Sequence, residues 1–366
     1  MAQPRVLVLF GGVSSEHSVS CLTAAGVLAA IDPERYQVVT VGITADGHWT
    51  PVDRVTVQAY GSVSGLPQVA PGPEALLFRD GPTVALATRR GDKLTDLTSV
   101  DVALPLLHGP FGEDGTVQGW FELLGLPYVG AGVLASAACT DKITTKRLLA
   151  QAGLPVGPSV GLDDWAWRHD REACLARVDQ LRPPWFVKPS RGGSSVGISR
   201  VEQREDLAAA IAEARRWDPR VIVEQGVTGA REIECGVLID RRLGPPTASL
   251  PGEIKLAQAD RFYDFGLKYL SADGVDLMAP AALEPAQTTA VQELAVAACL
   301  ALDVEGLARV DSFVKGAEIV INEVNTMPGF TAISLFPRLW GVSGVSYPEL
   351  IARLLDEALS RPPGLR

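Results

Sequence analysis

The chain alternates short apolar runs with amphipathic stretches, and one pair of runs is the most informative. Leu307 to Val314 alternates polar with apolar positions and is rich in β-branched residues; Ile319 to Asn325 does the same. Lys315-Gly316-Ala317-Glu318 interrupts the two, so the pair predicts a hairpin. A period of two puts Arg309, Asp311 and Phe313 on one face of the first strand. It puts Ile321, Glu323 and Asn325 on one face of the second. An odd-length loop such as Gly316-Ala317-Glu318 sets Asp311 opposite Glu323; a loop one residue longer sets it opposite Asn322. Opposed carboxylates repel unless a cation sits between them. Two carboxylates and an amide oxygen are a donor set for Mg²⁺, which completes its shell with water and phosphate oxygens. The alternative is a solvent-facing edge with ordinary charges. Val310, Ile319, Val320 and Val324 point to a central strand pair, where unpaired charge is costly.

The wholly apolar Arg5–Phe10 predicts a strand of a parallel sheet buried on both faces. It runs through Gly11-Gly12 into a helix ending near Ile31, with Ser14, Ser15 or Ser18 as N-cap. Strand, Gly-rich turn and helix form a ligand-binding arrangement, but without G-x-G-x-x-G the dinucleotide fold is not expected. Tyr36–Ile43, Asp101–Leu107 and Leu126–Gly130 read as further strands, and Thr116–Leu124 as a helix. Val55–Thr98 is rich in Gly and Pro and reads as edge strands and loops. A first domain boundary falls near Ala138, followed by the helix Lys142–Ala152, ended by Gly153. Pro155–Val160, Trp185–Lys188, Val196–Val201 and Val221–Glu224 are strands of a second, mixed domain, with a helix at Glu205–Arg216. Arg231–Ile239 is a strand with Glu232 and Glu234 on one face. Ala257–Gly274 is a long polar loop of the kind that forms lids. Helices at Leu283–Leu302 and Tyr347–Ser360 complete a mixed α/β fold.

With 366 residues, 47% of them hydrophobic, the chain can bury the cores of two or three domains. The net charge of −10 argues against nucleic acid or an anionic membrane as a partner, so any anion must be held locally. Cys21, Cys139, Cys174, Cys235 and Cys299 are scattered, which fits reduced thiols in a cytosol. The four histidines lack metal-ligand spacing, and the run Val6–Phe10 is too short for a signal segment or membrane span.

Three loops carry candidate chemistry. Glu16 either binds an ammonium at the mouth of the first turn or is a first-turn Glu favoured by the helix dipole. His108, opening His108-Gly109-Pro110-Phe111-Gly112-Glu113-Asp114-Gly115, either contacts a substrate or caps a strand end. Lys188 ends a strand and is followed by a Gly/Ser loop through Ser194, Ser195 and Gly197, which offers N–H groups and hydroxyls to phosphates. The order of Lys and glycines is not that of a Walker A loop. The exit Glu224-Gln225-Gly226-Val227 has free backbone groups suited to an adenine edge.

GGVSSEHSVS, HGPFGEDG, KPSRGGSSVG, FYDFGLKY, ARVDSF and NEVNTMPGFTAISLF occur in this order. Together they resemble the D-alanine–D-alanine ligases of the ATP-grasp superfamily across the whole chain except Val55–Thr98. The resemblance implies a three-domain ATP-grasp architecture, divided here at 1–138, 139–226 and 227–366. It implies ATP-dependent joining of two D-alanines for peptidoglycan in the cytoplasm, by a homodimer, with two Mg²⁺ ions or Mn²⁺ as a substitute. Lys142 and Lys188 resemble the phosphate-holding lysines, with Ser194 and Ser195 in the loop beside them. Glu224, Gln225 and Val227 resemble the adenine reader, Glu232 the ribose ligand and Lys268 the lid lysine. Asn322 and Glu323 belong to the nucleotide site, and Asp311, Glu323 and Asn325 match the metal ligands. Glu16 matches the binder of the first D-alanine's ammonium, in a network with Ser194 and Tyr269, and His108 is its neighbour. Ser334 and Leu335 resemble the binders of the second carboxylate, at a helix N-terminus suited to an anion. Arg309 and the N–H of Gly329 match the oxyanion site. Some members carry Glu where this chain has Gly192, which bears on the loop's conformation. Tyr269 resembles the dipeptide-forming type; an ester-forming D-alanine–D-lactate ligase and a nucleotide-binding regulator without turnover are the rival readings.

Overall fold

The structure is a computed structural model and describes residues 3–63, 65–240, 242–256 and 275–361. Four sheets carry the described residues. In the first, Arg5–Gly11 lies between Gln37–Ile43 and Val102–Pro105, parallel to both, with Trp49–Pro51 at the edge. Every residue from Val6 to Phe10 is fully buried, as its uninterrupted apolar run predicts. Leu126–Gly130 does not form a strand; it touches the sheet only by a parallel bridge between Ala103 and Tyr128. Val55–Thr98 is more regular than its composition indicates. It holds the helix Arg54–Ala59 and most of a separate antiparallel sheet, Glu74–Asp80, Thr83–Arg90 and Lys93–Val100. Two-residue turns at Gly81 and Gly91, both at positive φ, connect that sheet.

The central sheet is antiparallel, in the order Ser199–Val201, Trp185–Pro189, Val221–Gln225, Ser159–Leu162. The helix expected over 205–216 is shorter, a 3₁₀ turn Arg204–Asp206 followed by Leu207–Ala214. The third sheet runs Val275–Met278, Gly252–Leu256, Arg231–Ile239, Gly306–Lys315, Glu318–Asn325. Helix Pro285–Ala301, started by Glu284 and Gln287 in a reciprocal capping box, packs its Val291, Ala295 and Ala298 against this sheet. The closing helix Tyr347–Ser360 buries Leu350, Leu354 and Leu355 with Val6, Val8 and Leu28 of the first sheet and helix. The end of the chain therefore completes the core of its beginning. Among the described residues, no helix is long and apolar enough to cross a membrane.

The hairpin departs from its expected geometry in an informative way. Lys315 pairs with Glu318, so the turn is Gly316-Ala317, an even loop. That register continues through Ser312↔Ile321 and then shifts, so that Asp311 pairs with Glu323 and Arg309 with Asn325. Asn322 is the extra residue of a β-bulge. The expected pairing of Asp311 with Glu323 is present, but the bulge produces it, not an odd loop. The bulge also corrects the facing: Ile321 is fully buried in the core with Val310 and Val314, while Glu323 and Asn325 turn to the opposite, cavity-lining side.

Candidate active site

A cavity of about 1930 Å³ lies where the first, central and third sheets meet. It exceeds the ~300–1,000 Å³ of a single small-molecule pocket and has room for more than one ligand. Three neighbouring strands of the third sheet supply its charged floor. Glu234 pairs with Asp311, and Asp311 with Glu323, so three carboxylates lie in a row across three strands. Arg309 stabilises this row. Its Nε and Nη2 donate to both oxygens of Asp311 at 2.7 Å, and Nε lies 3.0 Å from Glu234. Burial alone would lower the Arg309 pKa, but Asp311 and Glu234 outweigh it and hold the guanidinium firmly charged. Asn325 Nδ2 donates to Asp311 at 2.9 Å. Asp311, Glu323 and Asn325 thus converge on one patch, and two facing carboxylates with an amide fit Mg²⁺, a hard cation taking oxygen ligands.

One wall is cationic. Helix Lys142–Gln151 starts at Asp141, whose side chain accepts from Thr144 N. Lys142 Nζ donates to Gly192 O at 2.7 Å and lies 3.9 Å from Glu323. Lys142 therefore ties the Gly/Ser loop to the hairpin. A Cβ on Gly192 would meet only Pro189 Cβ at 3.6 Å, an ordinary contact, so the loop tolerates a side chain there. Lys188 Nζ lies 2.5 Å from Glu224 Oε2, and Lys146 Nζ lies 3.0 Å from Oε1. Burial would raise the Glu224 pKa, but the two ammonium groups, Lys146 foremost, lower it to about 2. The same Glu224 raises the pKa of Lys188 against the effect of burial. The Gln225 side chain faces away, accepting from Arg182 N at 3.0 Å, so only its backbone can read a base. Val227 and Glu232 line the same cavity, as do Asn322 and Ser195.

The opposite end gathers the first domain's loops. No serine caps helix His17–Ala30; Glu16 takes the N-cap position, and Ser14 Oγ accepts from the Glu16 N–H at 3.1 Å. A Cβ on Gly193 would lie 3.2 Å from Glu16 Oε2, so the Gly/Ser loop passes directly over this carboxylate. Ser194, at φ +50°, is buried there, and its Oγ has no hydrogen-bond partner among the described residues. His108 is also buried. Its Nδ1 lies 3.2 Å from Met327 O and 3.6 Å from Glu113, while Nε2 has no partner among the described residues. Burial lowers the His108 pKa, but Glu113 and Glu16 more than compensate and raise it.

At the far rim, Ser334 is the N-cap of helix Leu335–Val342, its Oγ accepting from Thr331 N at 3.2 Å. Leu335 is buried behind it and Gly329 lines the cavity beside it. Lys268 and Tyr269, like the whole loop Ala257–Gly274, lie outside the described residues. All other site residues read from the sequence border this one cavity. Glu113, Glu234 and Lys146 are not among the site residues expected from the sequence, yet each pairs with one that is. Lys146 had a legible signal: it is four residues after Lys142, hence on the same helix face.

Residues 5–131 match the family model described as D-ala D-ala ligase N-terminus, and residues 148–356 match D-ala D-ala ligase C-terminus. A protein of Kineococcus radiotolerans named D-alanine–D-alanine ligase is 52% identical over 373 residues, covering 100% of this chain and 99% of the relative. One of the same name from Mycolicibacterium vanbaalenii is 49% identical over 381 residues, covering 100% of both. The solved D-alanine–D-alanine ligase of Coxiella burnetii superposes with a TM-score of 0.81 at 31% identity, over 99% of this chain and 95% of that one. The VanG D-Ala:D-Ser ligase of Enterococcus faecalis does so with a TM-score of 0.83 at 32% identity, over 98% and 100%. From its first strand to its last helix, the chain belongs to the D-alanine–D-alanine ligase family and has the ATP-grasp fold.

Proposed function

We propose that the chain joins two D-alanine molecules into D-alanyl-D-alanine with ATP, releasing ADP and phosphate, for peptidoglycan synthesis. The observation that carries the reading is one cavity that brings an ammonium-binding carboxylate, Glu16, a cationic wall and the Asp311–Glu323 pair together. We place it in the cytoplasm, working as a homodimer, with domains at 1–138, 139–226 and 227–366.

Glu16 holds the ammonium of the first D-alanine, beside His108 and Ser194. The carboxylate of that D-alanine attacks the γ-phosphate of ATP, and ADP leaves. Glu224, the backbone at Gln225 and Val227, and Glu232 hold the nucleoside; Lys142, Lys188, Ser195 and Asn322 hold its phosphates, with Lys268 from the lid. Asp311, Glu323 and Asn325 would hold two Mg²⁺ ions, which neutralise charge on the transferring phosphoryl when bound. The amine of the second D-alanine, its carboxylate held at Ser334 and Leu335, attacks the acyl carbon. A tetrahedral oxyanion forms at Arg309 and the Gly329 N–H, then expels phosphate as the amine loses its proton. Tyr269, with Glu16 and Ser194, holds the lid closed and keeps water from the acyl phosphate.

The test is ATP turnover with D-alanine alone, and with added D-lactate or D-serine, with products weighed by mass spectrometry. D-alanyl-D-alanine as the main product is expected. A dominant ester or a mixed dipeptide with D-serine would keep the site and overturn the second substrate. ADP release independent of D-alanine would overturn the assignment.

A further inference from the structure

Glu224 holds two cations where its expected role needs one. Lys188 and Glu224 line the cavity, whereas Lys146 sits behind Glu224 and does not. Lys146 is 6% exposed, and its partner among the described residues is Glu224 Oε1 at 3.0 Å. It can therefore reach no ligand except through Glu224. A buried carboxylate must be neutralised. If Lys188 were the sole counter-charge, the 2.5 Å pair would close on itself, and Lys188 would have to desert Glu224 to meet a phosphate.

We infer that Lys146 is a positioning residue for nucleotide binding: it neutralises Glu224 from behind, so that Lys188 is free to turn to the phosphates of ATP. The inference rests on the proposed reading of Glu224 and Lys188 as nucleotide contacts. Glu224 stays ionised with its cavity-facing oxygen open to an N–H of the base. Lys188 then exchanges one anionic partner for another as ATP enters, without leaving a buried charge unpaired.

The test compares steady-state kinetics of Lys146→Met, Lys146→Arg, Glu224→Gln and Lys146→Met/Glu224→Gln in the full-length enzyme. Lys146→Met is expected to raise KM for ATP about tenfold, the size expected for a charged hydrogen bond. KM for D-alanine stays put, and Lys146→Arg, which keeps the charge, retains most of the affinity. In the Glu224→Gln background the same Lys146→Met change has little further effect. If Lys146→Met does not fold, the double variant, which leaves no anion behind, is compared with Glu224→Gln. An equal ATP defect from Lys146→Met in both backgrounds would overturn the inference. So would a wild-type KM for ATP in Lys146→Met while Glu224→Gln is impaired, with the nucleotide reading left intact. An unchanged KM for ATP in Glu224→Gln itself would instead overturn the nucleotide reading and the inference with it.

Discussion

Asp311 faces Glu323 across the hairpin because Asn322 is one residue too many for its strand. The even turn alone would have paired Asp311 with Asn322. The bulge brings both Asn322 and Glu323 to the cavity while Ile321, two residues before Glu323, remains in the core. Without a cation, the two facing carboxylates work against the pairing they belong to.

Replacement of Glu323 by Gln should therefore separate stability from metal binding. The half-saturating Mg²⁺ concentration is expected to rise ~tenfold or more, read from ADP release against Mg²⁺. Metal-free stability should change by less than about 1 kcal/mol, because relief of the repulsion from Asp311 offsets the loss of the partly exposed 3.9 Å contact with Lys142. A large loss of metal-free stability would show that Glu323 serves the hairpin rather than the ion.

Arg309→Lys keeps the charge and loses the fork that grips Asp311 with two bonds. With the oxyanion donor lost, kcat should fall ~100-fold, about 3 kcal/mol in the barrier. KM for ATP should move little. A kcat near wild type would remove Arg309 from the transition state.

Glu224 makes a specific demand on acid stability. Its pKa in the folded chain, about 2, lies below its ordinary 4.5, so its stabilisation is complete above 4.5 and is lost as pH falls towards 2. This contribution is on the order of a few kcal/mol. Urea midpoints measured from pH 5.5 to 2.5 should decline more steeply in wild type than in Glu224→Gln. Parallel declines would mean that other carboxylates govern acid unfolding.

Glu113 is expected to act on the first substrate through His108. Glu113→Gln removes the foremost group that raises the His108 pKa, so the imidazolium should deprotonate at lower pH. With only four histidines, the shift can be followed by NMR. KM for the first D-alanine should rise, with KM for ATP unchanged. An unmoved His108 titration would assign the imidazolium's stability to Glu16 instead.

Periodicity was enough to place the buried parallel strand Arg5–Gly11, the hairpin strands and the closing helix Tyr347–Ser360, because burial on one face or both writes itself into the order of apolar residues. Motif order was enough to name the loops that meet at the cavity. Three things were decided only in three dimensions. The facing of Glu323 depends on a bulge, and a single extra residue leaves no mark on composition while reversing every side chain beyond it. The fate of 74–100 was hidden because its strands do not alternate consistently: Thr83–Arg90 buries a run of five residues, and Lys93–Val100 buries only its last. The ion pairs of Lys146 with Glu224, His108 with Glu113 and Arg309 with Glu234 join residues 78, 5 and 75 positions apart, the first between a helix and a strand and the last between neighbouring strands of one sheet. A sequence can show that a charge is present. Which opposite charge it must face once water is excluded is a property of packing alone.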